Sequence, residues 1–112
     1  MAKHERQLRA RGGELIGYLD KGIRAAHSGA ELVDTSVQRF GPVTVWIHVY
    51  EKPVSRNGGR IFLTLQVAAN ADSVTVTAIS TDGKNQSRLQ IADERVGCFN
   101  DTVVELLDLY EK

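Results

Sequence analysis

The sequence has few of the features from which function is commonly inferred. Its 112 residues include one cysteine, Cys98, so no internal disulfide can form and we expect a reducing, cytoplasmic environment. Basic and acidic residues number 14 each. A nucleic-acid-binding domain usually carries a basic surplus, so no nucleic-acid partner is expected. No apolar run approaches the length that crosses a bilayer, and none follows the charged N-terminal residues, so we expect neither a membrane contact nor a signal peptide.

Metal-binding and catalytic signatures are also lacking. The three histidines, His4, His27 and His48, are far apart along the chain, and without metal-ligand spacing we expect no metal or other cofactor. The stretch "STDGKNQS" has the Gly-Lys pair of a phosphate-binding loop. However, Asn85 follows the lysine and the next segment resembles a strand, so we interpret it as a hairpin turn.

Cys98 is the one candidate nucleophile. It lies near the start of a predicted helix, where the helix dipole can lower a thiol pKa, and His48 is its possible proton acceptor. The alternative, which we favour, is a small buried apolar side chain. We therefore expect no enzymatic activity.

The sequence does carry the pattern of one α+β domain covering residues 1–112. Apolar residues make up 42% and charged residues 25%, as is usual in globular proteins. Residues 13–27 and 98–112 each show one apolar stripe with helical spacing. Between them, residues 30–40, 43–52, 60–68 and 73–80 alternate as strands, and residues 87–92 are predicted as a short fifth strand. Residues 1–11 are predicted to be either an edge strand or an arm.

These elements predict a two-layer sandwich. An antiparallel meander of four to five strands carries an N-terminal and a C-terminal helix on one face. Basic residues predominate in residues 1–28 and acidic ones in residues 92–112, which favours docking of the two ends. The second face of the sheet is left uncovered.

The stretch "VTVWIHVYEK", residues 43–52, supplies the main candidate site. Val43, Val45, Ile47 and Val49 are predicted to face the core. The alternate side chains are predicted to lie on the uncovered face with residues of two further strands, giving the set Trp46, His48, Tyr50, Phe62, Thr64 and Thr77. Aromatic and hydroxyl groups in this mixture are typical of protein interfaces, so we expect self-association, most simply as a homodimer. Cross-strand stabilisation alone and a small-molecule site are the alternatives.

A second candidate site lies at one end of the predicted meander, where two hairpins meet. It collects five cations, Lys52, Arg56, Arg60, Lys84 and Arg88. These cations could hold an anionic ligand or an acidic partner. Charged turn tips that only confer solubility are the alternative.

The stretches "IHVYEK", "GGRIFLTL" and "TAISTDGKNQS", with a helix at each end of the chain, resemble a family of short uncharacterised proteins from Gram-positive bacteria that carries a domain-of-unknown-function label. The resemblance spans nearly the whole chain and implies a bacterial, cytosolic α+β protein. It supplies no functional residue. We therefore predict a non-catalytic binding or interaction module that self-associates through its sheet face. The alternative is a protein that binds an apolar or anionic small molecule between helices and sheet.

Overall fold

The computed structural model describes the backbone of residues 2–54, 59–82 and 89–112, and their side chains except those of residues 54, 82 and 89–97. Seven elements follow one another: β1 (Ala2–Arg9), α1 (Gly12–Ala26), β2 (Glu31–Phe40), β3 (Val43–Val54), β4 (Gly59–Asn70), β5 (Ser73–Asp82) and α2 (Leu89–Tyr110). The strands form one five-stranded sheet in the order β1-β5-β4-β3-β2. All pairings are antiparallel. The predicted α+β architecture is confirmed.

The fifth strand comes from the N-terminal residues. β1 pairs with β5 from Ala2 opposite Ser80 to Arg9 opposite Ser73. Of the two predictions for the N-terminal residues, the edge strand is therefore confirmed and the arm is wrong. The fifth strand predicted at residues 87–92 is wrong from Leu89 onward, because α2 begins there. Leu89 and Ile91 alternate over too short a stretch to distinguish a strand from a helix.

The core lies between the helices and one face of the sheet. Leu15, Leu19 and Ile23 of α1 are fully buried, as their helical spacing predicts. So are Phe99, Val103 and Leu107 of α2. The central strands add further fully buried side chains, namely Leu63, Leu65, Val67, Val76 and Ala78. Burying one large apolar side chain contributes about 1.5–3 kcal/mol, so this layer holds the helices on the sheet.

The orientation of β3 is the reverse of the prediction. Tyr50 is fully buried, and Tyr50, His48 and Trp46 pair directly with the core residues Leu63, Leu65 and Val67. Directly opposite residues of an antiparallel pair point to the same face of the sheet. Trp46, His48 and Tyr50 therefore face the helices.

The four aliphatic residues of β3 consequently lie on the uncovered side, and the expectation that they form the core is wrong. Val43, Val45, Ile47 and Val49 are only half-buried. Both sets of β3 side chains are apolar enough to be buried, so alternation alone could not decide the face. The outcome favours burial of the aromatic set, because larger side chains remove more apolar area from water.

Two hairpins turn on residues with positive φ. Gly41 between β2 and β3 has φ 59°, and Ala71 between β4 and β5 has φ 57°. An alanine in the left-handed region is strained by its Cβ atom. Residues 55–58 lie outside the described residues, and the pairing of β3 with β4 extends to Val54 opposite Gly59.

The two ends of the chain dock as their opposite charges predict. Arg6 of β1 contacts Asp108 of α2 and Glu111, the residue after α2, each at 2.9 Å. The hydroxyl of Tyr18 in α1 donates to the carbonyl of Leu106 at 2.6 Å. These contacts fix the end of α2 against both β1 and α1.

Candidate functional site

One side of the sheet carries no helix among the described residues, and we call it the open sheet face. Its central strip is the half-buried aliphatic row of β3, Val43, Val45, Ile47 and Val49. Polar residues of the neighbouring strands border this row, since Ile47 lies between Ser36 and Gln66 in the pairing. An apolar centre with a polar rim is the usual anatomy of a protein interface.

Three predicted site residues do lie on the open sheet face. Phe62 is half-buried and Thr64 is exposed. Thr77 is half-buried, and its hydroxyl donates to Glu5 of β1 at 3.4 Å. The open sheet face also includes Phe40, whose surface is 83% exposed. Phe40 pairs with Val43 and so extends the aliphatic row at the hairpin end.

The other three predicted site residues face the helices, and two of them, His48 and Tyr50, join a polar cluster between α1 and β3. The Tyr50 hydroxyl donates to Asp20 Oδ1 at 2.5 Å, and Arg24 Nε donates to the same oxygen at 3.0 Å. His48 Nδ1 lies 3.1 Å from the Tyr50 oxygen. Since the single phenolic hydrogen goes to Asp20, the Tyr50 oxygen accepts from His48, which must then carry its proton on Nδ1. Trp46 is half-buried on the same side and packs against the core.

The protonation states of this cluster follow from burial and hydrogen bonding. Burial raises the pKa of Tyr50, and its bond to Asp20 raises it further, so the phenol keeps its proton. Burial opposes ionisation of Asp20, but the hydrogen bonds from Tyr50 and Arg24 outweigh it and leave the pKa of Asp20 lowered. Burial lowers the pKa of His48. The negative charge of Asp20 raises this pKa and the positive charge of Arg24 lowers it, and the net shift is downward. The cluster at neutral pH is therefore carboxylate, phenol and neutral imidazole.

A second histidine, His27, directly follows α1 and forms hydrogen bonds to α2 and β3. The Thr102 hydroxyl donates to the Cys98 carbonyl at 3.1 Å and so accepts from His27 Nε2 at 2.8 Å. His27 Nδ1 is then free to accept from Lys52 Nζ at 3.0 Å. Burial, and next the charge of Lys52, lowers the pKa of His27. This neutral histidine joins α1, β3 and α2.

The predicted cationic end is described only in part. Lys52 donates to His27 on the helix side, and Arg60 pairs with Glu51 at 3.3 Å. Arg56, Lys84 and Arg88 lie outside the residues whose structure is described. The end of β5 does lie beside the start of β4, because Ile61 pairs with Asp82. An anionic ligand at this end stays a prediction.

Cys98 differs from its predicted environment in two respects. Its side chain is exposed, whereas we expected burial. It also lies well inside α2 and not at its start, so the helix dipole does not favour a reactive thiol there. Only its carbonyl enters the polar network, as the acceptor from Thr102. Among the side chains that the structure describes, no three potential metal ligands converge.

Asp20 is the functional candidate that sequence reasoning missed. Its carboxylate accepts from Tyr50 and Arg24 and lies 3.9 Å from His48 Nδ1. The signal available in the sequence was its spacing: Gly13, Gly17, Asp20 and Arg24 fall on one flank of the helix, beside the buried stripe.

The fold and the site together define a small α+β protein in which one face of the sheet is covered by no helix of the described residues. The chain belongs to a family of unknown function, DUF6054, which matches residues 1–108. No curated protein and no solved structure matches the chain. Neither α1 nor α2, so far as the structure describes them, has the length and apolar character needed to span a membrane.

Proposed function

We propose that this protein is a non-catalytic interaction module that self-associates through the open sheet face. The observation that supports this most strongly is the aliphatic row of β3, four side chains in succession that no helix of the described chain covers. A sheet packed only on one side usually presents polar residues to water on the other. Here the outer row is as apolar as a core strand.

The dimensions of the face fit a stable dimer. Five strands at a spacing of about 4.8 Å give a width of about 24 Å. Strands of about ten residues, rising about 3.3 Å each, give a length of about 33 Å. The resulting face of about 800 Å² matches the area that each partner of a standard interface buries.

Two copies related by a two-fold axis would pack these faces about 10 Å apart, as in a β-sandwich. Val45 and Ile47, near the middle of the row, would then lose their remaining contact with water. Lys3, Glu5 and Arg9 of β1, which pair with outward-facing β5 residues, would lie at the rim, where charges remain hydrated.

Substitution of Val45 by glutamate tests this proposal. Val45 pairs with Gln38 and Ala68, so a carboxylate there faces no neighbouring acid and leaves the core intact. In sedimentation velocity at micromolar concentration we expect the native protein to be a dimer and Val45→Glu a folded monomer. Trp46 is unsuitable for this test, because it packs against the core.

Val37→Glu is the matched control. Val37 is 56% exposed and pairs with Trp46, so it lies on the opposite side of the same sheet. This variant should remain dimeric. A native protein that stays monomeric at high micromolar concentration, or a Val45→Glu variant that dimerises as the native protein does, would overturn the proposal.

Small-molecule binding is the second candidate function. It is favoured by the polar cluster of Asp20, Tyr50 and His48, which lies on the half of the sheet that the helices cover least. A native mass spectrum of the protein purified from its host tests it: a retained small molecule on a monomer or dimer supports binding, and a bare protein opposes it.

The cellular setting is part of the proposal. We infer that the protein acts in the cytosol, which the exposed, unpaired thiol of Cys98 supports. The family resemblance supports a source among Gram-positive bacteria. Neither nucleic acid nor a membrane is a proposed partner.

A further inference from the structure

The edge strand β2 is the most exposed strand of the sheet. It packs chiefly on β3, and all of its residues except Leu32 and Ser36 are exposed. Three of the four large apolar side chains that are exposed in the described part of the chain belong to it, namely Val33, Val37 and Phe40. The opposite edge strand, β1, packs against α2. β2 therefore adds little to the core, although it is ten residues long.

The main-chain groups of three β2 residues point away from β3. A two-residue loop joins Phe40 to Val43, so these two residues form a hydrogen-bonded pair. Along an antiparallel ladder such pairs alternate with pairs that share no hydrogen bond, whose amide and carbonyl groups point outward. Thr35, Val37 and Arg39 belong to this second kind. No described strand pairs with this edge, so a row of donors and acceptors faces outward.

Asp34 covers the first amide of this row. Its Oδ1 accepts from the Thr35 N–H at 2.9 Å, which agrees with an amide that points away from β3. A β-bulge at Val33 interrupts the ladder just before it. Bulges and charged side chains limit uncontrolled pairing at the edge of a sheet. Here they protect the first part of β2 and leave residues 36–40 accessible.

We propose that β2 binds an extended segment of another protein, which adds to the sheet as an antiparallel strand opposite residues 34–40. A row of outward amide and carbonyl groups is satisfied in full by another strand, because only an extended chain repeats donors and acceptors at the same spacing. Pairing opposite Thr35, Val37 and Arg39 would supply about two main-chain hydrogen bonds at each residue.

The charges along the edge specify the chemistry of this segment. A matching strand has an acidic residue opposite Arg39, a β-branched residue opposite Val37 and a basic residue opposite Asp34, since opposite charges stabilise a cross-strand pair. The basic residue would draw the Asp34 carboxylate from the Thr35 amide and free that amide for pairing. A second copy of β2 fits less well, because pairing centred on Val37 would set Arg39 opposite Thr35 and Asp34 opposite Phe40.

The inference goes beyond self-association, since it uses the edge of the sheet and leaves the open sheet face free. The probe is the end-capped peptide Leu-Glu-Thr-Val-Thr-Thr-Lys, whose valine is designed to lie opposite Val37. Amide hydrogen exchange of the ¹⁵N-labelled protein measures the pairing. In the free protein the Val37 and Arg39 amides should exchange faster than those of Ser36 and Gln38, which face β3. Saturating peptide should slow exchange at Val37 and Arg39 by at least about tenfold.

Modified peptides test the pairing without altering the protein. N-methylation of the valine removes the donor that faces the Val37 carbonyl, so binding should weaken at least about tenfold. N-methylation of the next threonine is the matched control, because its N–H points away from β2, and this peptide should bind as the unmodified one does. Exchanging the glutamate and the lysine should weaken binding about fivefold, since each would then face a like charge.

Two protein variants complete the test. Val37→Pro removes an outward donor without breaking the ladder to β3, which edge strands tolerate, so it should fold, remain dimeric and lose the peptide. Val45→Glu should bind the peptide as the native protein does, so failure of the dimer and failure of this site can be told apart.

Three results would overturn the proposal. The first is the absence of saturable binding at about 1 mM peptide. The second is equal affinity of the two N-methylated peptides. The third is slow exchange of the Val37 and Arg39 amides in the protein without peptide, as edge pairing between two copies would produce.

Discussion

The hydrogen bond from the Tyr50 hydroxyl to Asp20 should contribute more to stability than a hydrogen bond from any other tyrosine hydroxyl of the chain. The chain has three tyrosines, which form a graded series for substitution by phenylalanine. Tyr50 is fully buried and donates to a carboxylate at 2.5 Å. Tyr18 is half-buried and donates to the neutral carbonyl of Leu106 at 2.6 Å. Tyr110 donates no hydrogen bond within the described structure.

The expected magnitudes follow from the acceptor in each case. A hydrogen bond to a charged group contributes about 1.5–3 kcal/mol and a neutral one about 1 kcal/mol. Tyr50→Phe also removes the partner of His48 Nδ1 and leaves Asp20 with Arg24 alone. We therefore expect a loss of about 2 kcal/mol for Tyr50→Phe, about 1 kcal/mol for Tyr18→Phe, and less than about 0.5 kcal/mol for Tyr110→Phe.

Urea unfolding followed by circular dichroism and by tryptophan fluorescence measures these differences. With a slope of about 1.5 kcal/mol per molar, the midpoint should fall by about 1.3 M for Tyr50→Phe and about 0.7 M for Tyr18→Phe. The slope itself should not change, since the substitutions remove no apolar area. If Tyr50→Phe costs no more than Tyr18→Phe, the carboxylate does not strengthen the bond, and the reasoning about the cluster fails.

Three further predictions concern the histidines, two glycines of α1 and Ala71. The pKa values of His27 and His48 are lowered from 6.5, so the unfolded chain binds more protons and the urea midpoint should fall as the pH drops below about 6.5. His27→Gln should flatten this dependence. Gly12→Ala should lose about 2 kcal/mol in thermal unfolding, because its Cβ atom would lie 2.7 Å from that of Ala69, whereas Gly17→Ala should gain up to about 1 kcal/mol. Ala71→Gly should gain about 0.5–1 kcal/mol by relieving the positive φ.

The elements of the fold could be predicted because each has its own local pattern. Helical spacing relates Leu15, Leu19 and Ile23, and strand alternation relates Leu63, Leu65 and Val67. The burial of both sets could therefore be predicted without tertiary information. The arrangement in which both helices lie on one side followed from the single apolar stripe of each helix. The strand predicted from Leu89 was wrong because its apolar pattern is too short to distinguish the two-residue period of a strand from the 3.6-residue period of a helix.

The candidate site could be predicted only in part, because β3 is apolar on both sides. Phe62, Thr64 and Thr77 were assigned correctly to the open sheet face, since their strands alternate between clearly buried and clearly polar residues. Trp46 was assigned to the wrong face. Val45 and Trp46 are both plausible core residues, and their choice depends on which one meets Gly12 of a helix that is distant in sequence.

The sequence by itself determined the class of fold and favoured the docking of a basic N-terminal segment on an acidic C-terminal one. Each of these depends on periodicity, composition or net charge along a segment. Tertiary structure alone decided which face of β3 is buried and which polar groups meet. Asp20, Tyr50 and His48 belong to two elements joined by an intervening strand, and their hydrogen bonds depend on distances of a few ångströms. Those distances are set by how the helices pack on the sheet, which no local pattern of residues encodes.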